Sequence, residues 1–305
     1  MAFHELYHRQ VALLVRVIPL VADEPVFALK GGTAINLFVR NLPRLSVDID
    51  LTYLPVQDRP ASLAAINAAM QRIALEAKRI LPVATVHTTV LEGAIVRLTV
   101  RSDGVQIKIE VTPVLRGCVY PPEIRSVVEA VENEYGFAQI QVVSFADLYA
   151  GKIVAALDRQ HPRDLFDVRD LLANEGITDE LRRAFIVYLL SHDRPMAEIV
   201  EPTRKQLQDE YARSFEGMTA APVPLEELEA ARETLIAEIV GNMPAAHRHF
   251  LLSFERGEPD WDMLGLPNVA DLPAVRWRQL NLNKLPPKKR AALVEALAKA
   301  LKTES

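Results

Sequence analysis

KGGTAINLFVRNLPRLSVDIDLTY, residues 30–53, carries the strongest pattern in this chain. A short apolar run over residues 26–29 precedes it and predicts a strand, and two glycines stand where that strand would end and a helix begin. Residues 46–53 then alternate polar and apolar side chains with a period of two, which predicts a second strand. A strand, a glycine turn, a helix and a further strand in this order indicate an α/β unit.

Two carboxylates stand out on the second of these strands. Asp48 and Asp50 are two residues apart, so both point to one face, while Val47, Ile49 and Leu51 point to the other. Two like charges side by side repel each other unless a cation lies between them. Magnesium prefers hard oxygen ligands and also binds substrate phosphates. The pattern fits a metal site, and it fits equally well an exposed strand with two acidic residues.

The glycine turn has a similar pair of interpretations. Gly31 and Gly32 remove two side chains at the start of a helix, where the Thr33 hydroxyl and the helix amides can face an anion. The same residues also fit an ordinary turn followed by a helix cap.

A second polar pair, Lys108 and Glu110, shares one face of a predicted strand over residues 105–111. If that strand lies beside Asp48, Glu110 becomes a third carboxylate near the same cation; otherwise the strand is simply amphipathic.

Two charged residues further along the chain fall on apolar helix faces. Lys152 lies in the centre of the apolar stripe of a helix predicted over residues 145–159, and Asp164 falls on the inward face of the next helix. Asp167 and Asp170 are predicted to point to the polar side of that helix. A charge facing the core needs a partner or a shifted pKa. Lys152 and Asp164 therefore form either a buried ion pair or part of a polar cleft in which Lys152 holds phosphate.

The distribution of predicted elements divides the chain. Residues 1–120 alternate helices with strands, and residues from about 145 onward read as helices with few alternating β-branched runs. We therefore predict an α/β domain over residues 1–120 and a mostly helical domain over residues 121–305, which carries Lys152 and Asp164. The sheet is predicted to be mostly non-parallel, because a Ser102-Asp103-Gly104 hairpin joins two of its strands.

Composition limits the class of protein. The 305 residues are half apolar and carry a formal net charge of −5, so any contact with nucleic acid needs a local basic patch. The single cysteine, Cys118, excludes an internal disulfide and a thiolate zinc cage. No apolar run reaches about 18 residues and the N-terminal residues lack a signal-peptide pattern, so we expect a cytoplasmic protein without a membrane segment. A basic helix start at Pro286–Arg290 is either a solvated surface or a contact for RNA or protein.

Taken together, these residues resemble the AbiEii/AbiGii-type toxin nucleotidyltransferases, whose N-terminal domain is similar to the polymerase-β-like nucleotidyltransferase fold. The similarity consists of five short motifs in the same order: Lys30-Gly31-Gly32-Thr33-Ala34, Arg44-x-Ser46-x-Asp48-Ile49-Asp50-Leu51, Lys108-x-Glu110, Lys152-Ile153 and Arg163-Asp164-Leu165-x-Asp167. Thr33 stands where serine is commoner in the family, and Glu110 is one methylene longer than aspartate. The resemblance implies an α+β fold in which a mixed sheet is followed by a helical C-terminal half.

The resemblance also implies a reaction: transfer of a nucleoside monophosphate from a nucleoside triphosphate to an acceptor hydroxyl, with release of pyrophosphate. Some relatives modify the acceptor end of tRNA, and they usually act beside a cognate antitoxin protein. By the same resemblance Asp48, Asp50 and Glu110 would hold Mg²⁺ or Mn²⁺, while Lys152 and Asp164 would be catalytic. The implied nucleotide-binding residues are Gly31, Gly32, Thr33, Arg44 and Ser46.

Two other functions fit the same residues. The same fold could transfer the nucleotide to a protein or a small molecule, or the chain could be a nucleotide-binding regulator without turnover. Label transferred from a nucleoside triphosphate to RNA, label on protein, and binding without transfer would distinguish the three.

Overall fold

The computed structural model describes residues 5–266 and 268–303. The chain divides into two compact units. Unit one runs to Ser144 and also includes Gly217–Pro222, and unit two comprises Phe145–Glu216 together with the residues from Val223 onward.

Unit one contains a sheet and the helices that belong to it. Its elements in chain order are α1 (Glu5–Ala22), β1 (Phe27–Lys30), α2 (Gly31–Ala34, continued by a π-helical turn over Ile35–Val39), β2 (Asp48–Tyr53), α3 (Arg59–Ile80), β3 (Thr85–Leu91), β4 (Ala94–Ser102), β5 (Val105–Arg116), β6 (Glu123–Ser126), α4 (Glu129–Tyr135) and β7 (Gln139–Val142).

The seven strands of the described residues form one mixed sheet in the order β3-β4-β5-β2-β1-β7-β6. The neighbours β2 and β5 are parallel, as are β1 and β7, and the other neighbours are antiparallel. This arrangement confirms the predicted mixed sheet and the strands expected near residues 26, 46 and 105.

The alternation along the central strands separates an apolar face from a polar face. Ile49, Leu51, Ile107 and Ile109 are fully buried or nearly so, and helices α1 and α3 contact this sheet at β5 and β4. Helix α1 buries eight apolar side chains between Val11 and Val21, around more than half of its circumference. The even-numbered side chains of β2, including Asp48 and Asp50, therefore lie on the opposite face.

The domain boundary predicted at residue 120 needs correction. Strands β6 and β7 lie beyond it but belong to the sheet: Leu29 pairs with Val142, and the Val143 N–H donates to the Leu29 carbonyl at 3.0 Å. The boundary between the units falls after Ser144. Each of these strands has only four residues, too few for a period of two to be recognised in the sequence.

Unit two is helical, as predicted for the C-terminal half. Its helices are α5 (Phe145–Asp158), α6 (Pro162–Asn174), α7 (Asp179–Leu190), α8 (Met196–Val200), α9 (Gln208–Ser214), α10 (Leu225–Ile236, continued by a π-helical turn over Ala237–Gly241), α11 (Ala245–Arg256), α12 (Pro273–Lys284) and α13 (Pro287–Ala300). Helices α8 and α12 were not predicted. None of the helices in the described ranges is long and apolar enough to cross a membrane.

Candidate active site

The turn between β1 and α2 needs glycine at two consecutive positions. Gly31 has a φ of +76°, and a Cβ there would lie 2.5 Å from Oδ2 of Asp50. A Cβ on Gly32 would lie 2.7 Å from Oγ of Ser46 and 2.8 Å from Nη2 of Arg44. The backbone of this turn therefore runs directly against the polar side chains that the sequence analysis selected.

Thr33 ties this turn to β2. Its side chain is fully buried, and its hydroxyl donates to the backbone carbonyl of Asp48 and lies 3.2 Å from Oγ of Ser46. These contacts give Thr33 a role in holding β2 against α2. A direct contact between its hydroxyl and a phosphate stays a prediction.

Arg44 is fixed below the same turn. It is 2% exposed, its Nη1 donates to the Leu45 carbonyl at 2.8 Å, and its backbone N–H donates to Oδ1 of Asn36 at 3.3 Å. Asn36 in turn donates from Nδ2 to the Gly32 carbonyl at 2.7 Å. The segment is also held by Gly217–Pro222, since the Leu45 N–H donates to the Met218 carbonyl at 3.0 Å.

A row of four charged residues crosses the polar face of the sheet. Strand register sets Lys30 of β1 opposite Asp50 of β2, Asp50 beside Glu110 of β5, and Glu110 opposite Arg97 of β4. Neighbouring residues in register point to the same side of a sheet. Asp48 lies in the next row, beside Lys108. The structure thus brings Asp48, Asp50 and Glu110 to one face, as the sequence analysis expected for adjacent strands.

The ends of this row are positively charged. Arg97 Nε lies 2.7 Å from Oε1 of Glu110. Burial lowers the pKa of Lys30, and the charge of Asp50 opposes that shift. Two adjacent carboxylates destabilise a sheet when nothing offsets their charge, and here a cation stands next to each of them. Arg97 was not selected from the sequence, although its alternation with the buried Leu98 and Val100 in β4 assigns it to the polar face.

Two carboxylates of this face suit a divalent cation, but among the residues that the structure describes a third protein ligand is not in place. Asp48 and Asp50 supply hard oxygen donors on one side of β2, and the absence of a side chain at Gly31 lets the Asp50 carboxylate lie directly against the turn. Magnesium commonly takes one or two carboxylates and completes its shell with water and phosphate oxygens. Within residues 5–266 and 268–303, no group of three or more His, Cys, Asp or Glu side chains has the geometry of a metal site. Glu110 is paired with Arg97, and its role as a third ligand stays a prediction.

A second charged cluster lies in unit two. Lys152 on α5 places Nζ 2.7 Å from Oδ1 of Asp164 and 3.0 Å from Oδ2 of Asp167, both on α6. Arg159 Nη2 donates to Oδ1 of Asp164 at 2.9 Å. Lys152, Asp164 and Asp167 are all buried. The buried ion pair predicted between Lys152 and Asp164 is therefore present, and the role of Lys152 in holding phosphate stays a prediction.

The charge of Asp164 is stabilised by its two cationic neighbours. Burial alone would raise the pKa of this carboxyl, but the charges and hydrogen bonds of Lys152 and Arg159 outweigh burial and lower the pKa well below its usual value. Asp164 is therefore ionised at neutral pH and accepts hydrogen bonds from both cations.

The prediction for Asp167 was wrong. It was assigned to the polar side of α6, whereas its side chain is 1% exposed and bonded to Lys152. Residues three apart on a helix are neighbours on its surface, so Asp167 lies next to Asp164 on the inward side. The spacing of the two aspartates was the sequence signal that could have identified this pair.

Substitution of Gly31 tests the close approach of the turn to Asp50. We expect Gly31→Ala to lower the free energy of unfolding by at least about 1 kcal/mol more than Gly93→Ala, because both positions have positive φ but only Gly31 has a neighbour in the way. Gly93, with φ +80°, has nothing within 4 Å of an added Cβ. Urea unfolding of the two variants measures the difference, and equal losses would contradict the contact.

The comparisons with known proteins agree with this fold. The family described as "Nucleotidyl transferase AbiEii toxin, Type IV TA system" matches residues 12–277. Among solved structures, the chain is similar to MenT4, a nucleotidyltransferase toxin from Mycobacterium tuberculosis, with 17% identity and a TM-score of 0.58 over 97% of this chain and 95% of MenT4. At this identity the similarity shows the fold.

A weaker similarity links the chain to terminal uridylyl transferase 4 from Trypanosoma brucei with bound GTP, at 13% identity and a TM-score of 0.27, over 79% of this chain and 94% of the transferase. No curated protein sequence matches the chain significantly. Since the family match spans most of the chain and includes all the motifs described above, the chain belongs to the AbiEii family of nucleotidyltransferase toxins of type IV toxin–antitoxin systems, and its activity is nucleotidyl transfer.

Proposed function

We propose that this enzyme transfers a nucleoside monophosphate from a nucleoside triphosphate to a hydroxyl group of tRNA and releases pyrophosphate. We propose further that it requires Mg²⁺ or Mn²⁺, acts in the cytoplasm and is countered by a cognate antitoxin protein. The observation that carries the proposal is the position of Asp48 and Asp50 on one side of β2, with the Asp50 carboxylate packed so closely on the glycine turn that a Cβ on Gly31 would lie 2.5 Å from its Oδ2.

The carboxylates supply the metal site in this proposal. Asp48 and Asp50 would hold the cation, with Glu110 as a third carboxylate from the neighbouring strand. A bound divalent cation supplies neutralisation of charge on the phosphoryl group under attack and on the departing pyrophosphate. Phosphoryl transfer asks for little covalent chemistry from a protein, so positioning and charge account for most of the catalysis.

The residues around the turn bind the nucleotide. The peptide N–H groups at the start of α2, where Gly31 and Gly32 lie, would favour a phosphate anion. Arg44 and Ser46 lie against Gly32 and add a positive charge and a hydroxyl donor. Thr33 acts on the nucleotide through β2, because its hydroxyl donates a hydrogen bond to the Asp48 carbonyl.

Unit two has a charged cluster of its own, made of Lys152, Asp164 and Asp167. We assign Lys152 to the triphosphate, and we assign Asp164 to holding the Lys152 ammonium in position through the 2.7 Å hydrogen bond. The Lys152 ammonium has three N–H donors, and its two carboxylate partners fix its orientation. A group that positions phosphate needs such a fixed orientation.

An assay with labelled substrates tests the proposed reaction. The purified enzyme is incubated with Mg²⁺, total tRNA and each of the four α-³²P-labelled nucleoside triphosphates in turn. We expect label on tRNA with at least one nucleotide, and loss of that label when EDTA replaces Mg²⁺. Label on protein, or nucleotide binding without transfer, would contradict tRNA as the acceptor.

A further inference from the structure

The strongest basic segment of the chain lies outside the candidate active site. Residues 272–294 contain six lysine or arginine residues and no aspartate or glutamate, although the chain as a whole has a net charge of −5. This segment comprises α12, the first half of α13 and the junction between them. A cationic segment in an acidic protein attracts anions locally, although the overall charge does not.

An exposed aromatic side chain lies within this basic segment. Trp277 and Leu280 on α12 are each 57% exposed, and Lys284 follows at the end of the same helix. The spacing i, i+3, i+7 puts these three residues on one face of the helix. The other tryptophan, Trp261, packs on Phe250 with ring centroids 5.2 Å apart. Trp277 is thus an unpacked aromatic surface with a lysine beside it.

The cations at the start of α13 are not compensated by acids. Lys288, Lys289 and Arg290 occupy the first turn of this helix, which contains no acidic residue. The N-terminus of a helix carries a partial positive charge and favours anions, so three cations there repel both the helix and one another. Within the described residues, Lys284, Lys288 and Lys289 form no ion pair. A bound anion would relieve this repulsion.

A groove adjoins these cations. Its volume is about 620 Å³ and it is lined by Arg256, Pro287, Arg290, Ala291, Val294 and Glu295. Arg290 is held in place because Nη1 donates to the Arg256 carbonyl at 3.1 Å and Nη2 to the Asn283 carbonyl at 3.4 Å. Arg256 is exposed. The groove therefore has two guanidinium groups and a single acid along its walls.

We propose that this basic–aromatic surface, made of Arg256, Trp277, Lys284, Lys288 and Lys289, binds single-stranded RNA. The lysines and the exposed arginine contact phosphates, and one base stacks on the indole of Trp277. Proteins that bind single strands combine a cationic groove with an aromatic platform, and base stacking accounts for part of their affinity. The inference rests on the proposed function in one respect: RNA is the acceptor class proposed for the enzyme.

Salt dependence tests the phosphate contacts. Binding of a fluorescein-labelled single-stranded RNA of about 20 nucleotides to full-length protein carrying Asp48→Asn is followed by anisotropy at several salt concentrations. We expect Lys288→Ala/Lys289→Ala to reduce the slope of log K against log salt by about 1.4, which corresponds to about 25-fold weaker binding at about 0.1 M salt. The control Lys299→Ala/Lys302→Ala removes the same charge from the other end of α13 and should leave the slope unchanged.

Tryptophan fluorescence tests the stacking contact. In Trp261→Phe protein the remaining indole is Trp277, and we expect RNA to quench its emission. Trp277→Leu should weaken binding about 5-fold or more, since the side chain stays apolar but loses its aromatic face, and Trp277→Phe should restore much of the affinity. If RNA quenches the emission of Trp261→Phe protein but Trp277→Leu binds RNA with unchanged affinity, stacking on Trp277 is contradicted.

These outcomes are separate from those of the transfer assay. RNA binding is measured without nucleotide or metal, so a failure of the proposed transferase reaction leaves the binding result intact. Equal RNA affinity and equal salt slope in the lysine variant and its control overturn the proposed surface. The labelled RNA is also displaced with poly-glutamate and with unlabelled RNA at equal charge concentration. If both displace it equally well, the proposal of an RNA site is overturned, because the surface would then bind an acidic polypeptide.

Discussion

Asp48→Asn is expected to reduce nucleotide transfer about 10³-fold or more and to leave the free energy of unfolding almost unchanged. The carboxylate is replaced by an amide of the same shape, so the oxygen charge that would hold the cation is lost; a loss of about 4 kcal/mol of transition-state stabilisation corresponds to this factor. The fold should persist because Thr33 bonds to the backbone carbonyl of Asp48 and not to its side chain.

The measurement is the initial rate of label transfer from the triphosphate to tRNA, together with urea unfolding of the same sample. Asp193→Asn is a matched control, since that side chain is 85% exposed and the same chemical change is made away from β2. Transfer by Asp48→Asn at more than about a tenth of the wild-type rate would remove this carboxylate from the mechanism.

Lys152→Met is expected to lower the free energy of unfolding by about 3 kcal/mol. The substitution leaves Asp164 and Asp167 buried without their shared cation, and removing one partner of a buried ion pair is costly because the remaining charge stays in the interior. Arg159 continues to bond to Asp164, which limits the loss. Lys299→Met, at an exposed position, should change stability by less than about 0.5 kcal/mol.

A triple variant distinguishes the structural role of Lys152 from a role in transfer. Adding Asp164→Asn and Asp167→Asn to Lys152→Met removes the uncompensated charges, so stability should recover in large part. If Lys152 positions phosphate, the recovered protein remains inactive. Recovery of both stability and transfer would show that this cluster serves the fold alone.

The same cluster gives stability a defined dependence on pH. The pKa of Asp164 is lowered in the folded protein by Lys152 and Arg159, so its stabilising contribution is fully present above the unfolded-state pKa of about 3.9 and is lost as the pH falls through the folded value. As the pH is lowered beyond about 4, we expect the free energy of unfolding of the wild type to decrease more steeply than that of the triple variant. Parallel curves in acid unfolding experiments would contradict this linkage.

Several features of the site were predictable because they depend on neighbours in the sequence. A period of two assigns Asp48 and Asp50 to one face of β2 whatever lies on either side of the strand. The helical period identified Lys152 and Asp164 as charges on inward faces, and a partner for each was the physical consequence. The glycine pair marked the end of β1 for the same local reason.

Other features depend on which distant segments meet. Asp50 lies between Lys30 and Glu110 because β2 pairs with β1 on one side and with β5 on the other. Arg97 lies beside Glu110 because β4 pairs with β5. Residues 123–142 fall within the predicted helical domain, whereas in the structure β7 pairs with β1 and joins the sheet. The inward position of Asp167 likewise depends on how α6 packs against α5.

Local periodicity therefore established which side chains share a face of a strand or helix, since backbone geometry repeats within a few residues. Which strands lie side by side, and so which charges offset one another, followed from the packed chain alone. Strand pairing joins segments far apart in sequence, and its register is fixed by burial of the shared apolar face and not by any short motif.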